Sequence, residues 1–277
     1  MRTVARALTI AGSDSGGCAG IQADLKTFGA LGVHGMSVIV SVTAQDTCAV
    51  YDSFDLPLES IQLQLKAVLD DIGVDAVKTG MLSSAPIVCL VEKTLRERRV
   101  ERLVVDPVMV STGGDRLIQD DAVEVLKSKL FPLALVVTPN LREAEVLVGG
   151  EITSGAAARE AARAIQQMGP RSVVIKGGHF ECEEESLDLF YDGRQFLEFR
   201  APRIQTNNTH GSGCTFASAI AAFLAKGKSL DEAIGHAKQY VTHAIRHSFP
   251  LGRGNGPLGH FYRLWKVESD KKLTTDD

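Results

Sequence analysis

The sequence predicts an α/β protein with a mostly parallel sheet and helices on both of its faces, and three observations predict it. Short apolar runs alternate with amphipathic helical stretches along most of the chain, the rhythm of βαβ crossovers. Glycine-rich or polar loops follow the apolar runs, as they do where a parallel sheet presents its ligand rim. One segment breaks the rhythm: two strand-like runs at 187–191 and 195–200 flank Asp192-Gly193. That pair supplies the positive φ angles of a type I′ turn, so an antiparallel hairpin is expected at a sheet edge.

In chain order, the apolar run 7–11 reads as a strand and the 3.6-residue periodicity of 21–31 as a helix. Strand 36–42 and helix 58–72 follow, then strand 76–78, helix 85–97, strand 103–105 and helix 120–130. Strand 135–138 precedes helices 141–148 and 156–168; strand 173–176 precedes the hairpin, and helices 212–225 and 230–247 complete the pattern. The loops 12–20, 43–46, 79–81, 106–115, 138–143 and 176–178 all follow strands and are expected to converge on one rim. No repeat or long linker interrupts the chain, so 1–266 is expected to form a single domain, with 267–277 as a flexible tail.

Composition excludes several classes. Of 277 residues, 44% are hydrophobic and 23% charged, with a net charge of −4, so nothing draws the chain globally to nucleic acid or an anionic membrane. Five cysteines, odd in number and without a C-x-x-C spacing, argue against a zinc ribbon or disulfide framework and suit a reducing compartment. The apolar run at 7–11 is too short for a secretory segment or membrane span, so a cytoplasmic setting is expected.

The most telling stretch is Thr209-His210-Gly211-Ser212-Gly213-Cys214, a glycine turn that opens an apolar helix. Several backbone N–H groups at the positive end of a helix dipole can hold an anion. Cys214 sits where that field favours its thiolate, and a proton acceptor beside a phosphate cradle suggests phosphoryl transfer to a hydroxyl. A plain helix entry with a small buried cysteine is the competing reading. The loop at 11–20 lacks the G-x-G-x-x-G spacing, and no acidic ribose partner ends a second strand, which speaks against a dinucleotide fold. Asn140 can cap the following helix. Glu143, one turn on, can complete that cap or organise Mg²⁺. Asp106, fixed by Pro107, suits the phosphate region or the waters of a metal, and Lys176 at the end of an apolar strand needs an anionic partner. His243 and His247 are four apart but lack a third metal ligand in register.

Seven blocks carry a resemblance: AGSDSGGCAGIQADLKTF at 11–28, VTAQDT at 42–47, DAVKTGML at 75–82, VVDPVMVSTGGDRL at 104–117, TPNLREAE at 138–145, VIKGGH at 174–179 and THGSGCTFASAIAAFLA at 209–225. With these in order, the chain resembles the ribokinase-like superfamily and, within it, the hydroxymethylpyrimidine/phosphomethylpyrimidine kinases of thiamine biosynthesis. The resemblance implies a three-layer α/β/α fold, ATP and Mg²⁺ as cofactors, and a homodimer. It implies two successive phosphorylations, of 4-amino-5-hydroxymethyl-2-methylpyrimidine and then of its monophosphate. It places the pyrimidine among Gly12, Asp24, Gln45, Met81 and Val108, where Gln and Asp can pair with ring nitrogens and the amine while Met and Val cover a flat ring. Asp106, Asn140, Lys176, Thr209, Gly211, Ser212 and Gly213 would serve the nucleotide phosphates, and Glu143 the Mg²⁺, directly or through water.

Cys214 stands where related sugar kinases carry an aspartate base, and Cys214, Lys176, Gly211 and Gly213 would form the catalytic set. The loop 106–115 would close over the site on Gly113 and Gly114, and His179 would line the nucleotide side. Two departures stand out: Cys18 where the family has glycine, and Ser212 where it has threonine. A pyridoxal kinase of the same superfamily is the nearest alternative, because pyridoxal is also a flat heteroaromatic with a hydroxymethyl arm. A pyrimidine-binding sensor without catalysis is the alternative of another class.

Overall fold

The computed structural model describes residues 4–109, 117–178 and 184–265. Its centre is a nine-stranded sheet in the order β3-β2-β1-β4-β5-β6-β7-β8-β9. The strands are β1 (Arg6–Asp14), β2 (His34–Gln45), β3 (Val50–Asp55), β4 (Ala76–Thr79), β5 (Leu103–Val105), β6 (Val136–Val137), β7 (Val173–Gly178), β8 (Glu185–Tyr191) and β9 (Phe196–Pro202). From β2 to β7 the pairings are parallel, as the crossover rhythm predicted. β8 and β9 form the expected antiparallel edge.

The helices are α1 (Gly20–Ala30), α2 (Leu58–Ala67), α3 (Ala85–Glu97), α4 (Asp120–Val125), α5 (Leu141–Val148), α6 (Gly155–Gln167), α7 (Ser212–Ala225) and α8 (Leu230–Arg246). Where the pattern predicted unbroken helices at 58–72 and 120–130, the chain loosens into single π turns at Val68–Ile72 and Leu126–Leu130. Strand side chains alternate between two cores. Leu8, Ile10, Val77, Leu103 and Val105 pack with α3, α4 and α6 on one face. Ala7, Ala76, Val104, Val136 and Val174 pack with α1, α7 and α8 on the other. That is the three-layer ribokinase-like arrangement.

Two further details differ from expectation. A second antiparallel edge exists, because β3 pairs with β2; its apolar residues Val50, Tyr51 and Phe54 do not alternate with polar ones, so it carries no strand periodicity. The hairpin turn is also longer than a type I′ pair. The Asp192 carboxylate accepts from the N–H groups of Arg194 and Gln195, both at 2.7 Å, and only Gly193 takes a positive φ, 92°. An Asx-type turn replaces the predicted two-residue one. Among the described residues no helix is long and apolar enough to cross a membrane. The proposed tail, the hinges Gly113 and Gly114, His179 and Cys182 lie outside the described residues.

Candidate active site

The strand order reverses at β1, which neighbours β2 on one side and β4 on the other. Loops leave such a switch point in opposite directions and open a crevice at the strand ends. A cavity of about 340 Å³ occupies it, and all six predicted rim loops contribute: Gly12, Gln45, Met81, Asp106, Asn140 and Lys176 each line it. Val108, Glu143 and the turn from His210 to Cys214 complete the wall.

Gly211 makes the cradle possible. Its φ of 80° is left-handed, and a side chain there would stand 1.9 Å from the Cys18 carbonyl oxygen, so the turn and the first loop touch as only glycine allows. The Gly211 carbonyl accepts from the N–H and hydroxyl of Thr215 at 2.9 and 2.8 Å, which locks the first turn of α7. The Ser212 N–H is turned inward onto the Thr209 carbonyl at 3.1 Å. Thr209 therefore shapes the turn and does not line the cavity, and Ser212 contributes no free amide. The N–H groups of Gly213 and Cys214, without intrahelical partners in a first turn, are the ones left for an anion.

Beside the cradle, Lys176 Nζ binds Asp106 Oδ1 at 2.8 Å, and Thr138 donates to the same oxygen at 3.1 Å. Asp106 Oδ2 is buried with no partner, and the space that a side chain at Gly213 would take lies 3.8 Å from it. The pair thus presents an ammonium and an unfilled acceptor toward the cradle. Burial works against the Lys176 charge, but Asp106 and Glu143 outweigh it and hold its pKa above the ordinary lysine value.

Asn140 and Glu143 form a reciprocal capping box. Asn140 Oδ1 accepts from the Glu143 N–H at 2.9 Å, and Glu143 Oε2 accepts from the Asn140 N–H at 2.8 Å. The capping role is thus present, and Glu143 also faces the cavity. Burial raises its carboxyl to about 7 against the pull of Lys176.

At the other end, Gln45 Nε2 lies 3.0 Å from His210 Nε2, and Gln45 Oε1 accepts from Thr43 at 3.2 Å. Its amide is therefore held at a fixed angle over the cavity. A Cβ on Gly12 would meet Met81 Cε at 2.4 Å, so glycine there lets the methionine lie across β1.

Besides Thr209 and Ser212, three expectations need correction. Asp24 is 0% exposed and lies below the cavity, with its oxygens saturated by Lys78, Thr9 and Ser218. It has no acceptor to offer a ligand. Burial pushes the Cys214 thiol up to about 11, although Lys78 and the Gly20 N–H pull it down; the side chain is half-buried on the cavity wall, and its desolvation favours the neutral thiol where a thiolate was expected. Cys18 is turned inward, 3% exposed, with its thiol toward the Gly16 carbonyl at 3.5 Å, so the departure from glycine adds no side chain to the cavity wall.

Sequence reasoning also passed over Asp14. Its carboxylate accepts from the N–H groups of Gly16, Cys18 and Ala19 at 2.7–2.8 Å. The first loop is folded around its own aspartate, which consumes amides that a ligand might otherwise use. His243 and His247 stack on Tyr262 at the surface side of α8, and among the described residues no group of three or more His, Cys, Asp or Glu is arranged for a metal.

A model of the phosphomethylpyrimidine kinase family matches residues 14–259. The chain belongs to that family. It is 53% identical over 253 residues to a thiamine biosynthesis bifunctional protein of Geobacter sulfurreducens, covering 91% of this chain and 51% of that protein; the chain spans about half of that relative's length. It is 50% identical over 257 residues to the hydroxymethylpyrimidine/phosphomethylpyrimidine kinase of Streptomyces coelicolor, covering 93% of this chain and 94% of that one. The ADP complex of Bacillus subtilis pyridoxal kinase superposes with a TM-score of 0.88 at 42% identity, over 95% of this chain and 100% of that one.

Proposed function

We propose that this member of the family is an ATP- and Mg²⁺-dependent kinase. It would phosphorylate the hydroxymethyl group of 4-amino-5-hydroxymethyl-2-methylpyrimidine and then convert the monophosphate to the diphosphate for thiamine synthesis. One observation carries the proposal: a single cavity joins a heterocycle-sized end at Gln45, Met81 and Val108 to an anion cradle at Gly213, Cys214 and Lys176. An acceptor hydroxyl at the first end would face a donor phosphate at the second.

The donor set suits Mg²⁺. Two carboxyl groups, Glu143 and the orphaned oxygen of Asp106, face the cavity, and Mg²⁺ commonly takes one or two carboxylates with phosphate and water oxygens. Glu143 would hold it directly or through water, and the ion would neutralise phosphate charge. Asn140 fixes the Glu143 carboxyl for that task. Lys176 and the amides of Gly213 and Cys214 stabilise the migrating phosphoryl group.

In the first step Cys214, as thiolate, takes the hydroxyl proton while the alcohol oxygen bonds to the γ-phosphorus and the bond to ADP breaks. With a thiol near 11, only a small thiolate fraction exists at neutral pH, which a transition state with late proton loss tolerates. In the second step the acceptor is a phosphate oxygen, which needs no base.

The same reading makes the protein a cytoplasmic homodimer. Tyr51, Phe54, Leu58 and Leu63, exposed on β3 and α2, supply apolar area for a second copy, and sedimentation equilibrium tests it. Pyridoxal phosphorylation is the second reading, favoured by the superposition on the Bacillus subtilis enzyme. Side-by-side turnover of the two alcohols with ATP and Mg²⁺, read as ADP release and product mass, decides. The pyrimidine is expected to be phosphorylated twice. Turnover of pyridoxal alone favours the second reading, and pyrimidine binding without ADP release means a sensor.

A further inference from the structure

Below the cavity lies a polar cluster that the reaction as described leaves unused. Thr9 on β1 and Lys78 on β4 stand opposite each other in the parallel pairing, on the sheet face that α1 and α7 cover. Asp24, from α1, accepts from Lys78 Nζ at 2.8 and 3.0 Å, from Thr9 Oγ1 at 2.6 Å and from Ser218 Oγ at 2.5 Å. All four side chains are 0% exposed. Removing two charges from water is costly, and apolar residues of similar volume commonly fill such a site at no loss of stability. Packing alone therefore does not account for the pair.

Its geometry points at the thiol. Gly20 and Asp24 lie one turn apart on α1, and Cys214 and Ser218 lie one turn apart on α7. The two helices are tied together one turn below the sulfur, where Ser218 donates to Asp24, and they meet at the level of the sulfur, where a Cβ on Gly211 would stand 1.9 Å from the Cys18 carbonyl oxygen. Lys78 runs toward the same end. A Cβ on Gly80, two residues nearer the rim, would stand 2.7 Å from Lys78 Nζ and 3.0 Å from the Ala11 Cβ, so Gly80 keeps open the space that the ammonium occupies. The charged groups that act on the sulfur are Lys78 and Lys176, which favour the thiolate, and Asp24 and Asp106, which oppose it.

We propose that Asp24 and Lys78 are positioning residues for Cys214: the pair clamps α7 to α1 one turn below the sulfur and holds an ammonium beneath it. The clamp fixes the sulfur at the angle at which it can receive the hydroxyl proton. This rests on the kinase reading, and the experiment separates the two. Parent turnover of the pyrimidine alcohol tests the kinase. Alkylation of Cys214 by iodoacetamide, followed by peptide mass spectrometry, reports on the sulfur whether or not catalysis occurs.

In the double variant Asp24→Asn/Lys78→Met both charges are gone, so no lone charge is left buried. It is expected to keep KM for the alcohol within about twofold while first-step kcat falls by about tenfold or more and alkylation of Cys214 slows. Ser218→Ala, which removes the bond between α7 and α1 and leaves the ion pair, is expected to lower kcat and alkylation severalfold in the same pattern; it decides the matter if the double variant does not fold. Folded variants with parental kcat and parental alkylation rates overturn the proposal, and so does a loss confined to KM. An inactive parent whose variants still alkylate more slowly sinks the kinase and leaves the clamp standing.

Discussion

Lys78 and Lys176 are a matched pair with opposite fates. Each stands at or near the carboxyl end of a parallel strand, each binds an aspartate at 2.8 Å, and each is drawn from water. Lys78 and Asp24 are both 0% exposed, and Asp24 is saturated by four hydrogen bonds. Lys176 is 13% exposed, its partner Asp106 keeps one oxygen unfilled, and both line the cavity. A closed ion pair can only hold structure or set a field. An open one can trade its partner for a ligand.

If that contrast is right, Lys78→Met alone should strand the Asp24 charge and cost about 3–5 kcal/mol of stability, read as a lower denaturation midpoint in urea. Lys176→Met also leaves a buried carboxylate, but one that faces the cavity and can be solvated from it, so it should lower the midpoint less than Lys78→Met does and in addition lower kcat by about 10²–10³-fold in steady-state ADP release. Equal destabilisation by both would erase the distinction.

A smaller effect sharpens the role of the sulfur between them. Burial holds the Cys214 thiol at about 11, so raising pH increases the thiolate, and first-step kcat should climb about tenfold per pH unit where that fraction is limiting. The second step, with a phosphate acceptor, should lack this slope, and Cys214→Ala should damage it far less than the first. Identical pH profiles for the two steps would remove Cys214 as the base. Last, Asn140→Ala breaks half of the capping box and should cost about 1 kcal/mol of stability while raising the Mg²⁺ concentration needed for half-maximal activity.

The two lysines also mark how far the sequence could be read. Strand-end lysine logic singled out Lys176, and the same logic applied to Ala76-Val77-Lys78 would have flagged Lys78, whose strand was recognised. Its partner was out of reach: Asp24 lies 54 residues before Lys78 and Ser218 about 140 after it, and nothing local joins α1 to α7. The parallel sheet, the helices and the six converging loops were legible, because periodicity and glycine placement are local. The β3 edge was not, since Val50, Tyr51 and Phe54 fall at irregular spacing on a short strand and leave no two-residue period. The thiol was misjudged for a related reason. A helix terminus is visible in sequence, but the desolvation that raises the thiol is a property of the packed molecule. Asp14 looked like one polar residue in a glycine run, yet it is the post around which the run is wound.

The bond from Ser218 to Asp24 spans 194 residues of chain. On a ribosome, the strands and first helix emerge long before the helix that carries the sulfur, so the nascent protein holds a half-built catalytic centre through most of its synthesis. Every fragment that stops short of that late helix should be inert, however well it collapses, and activity should switch on abruptly once the helix docks.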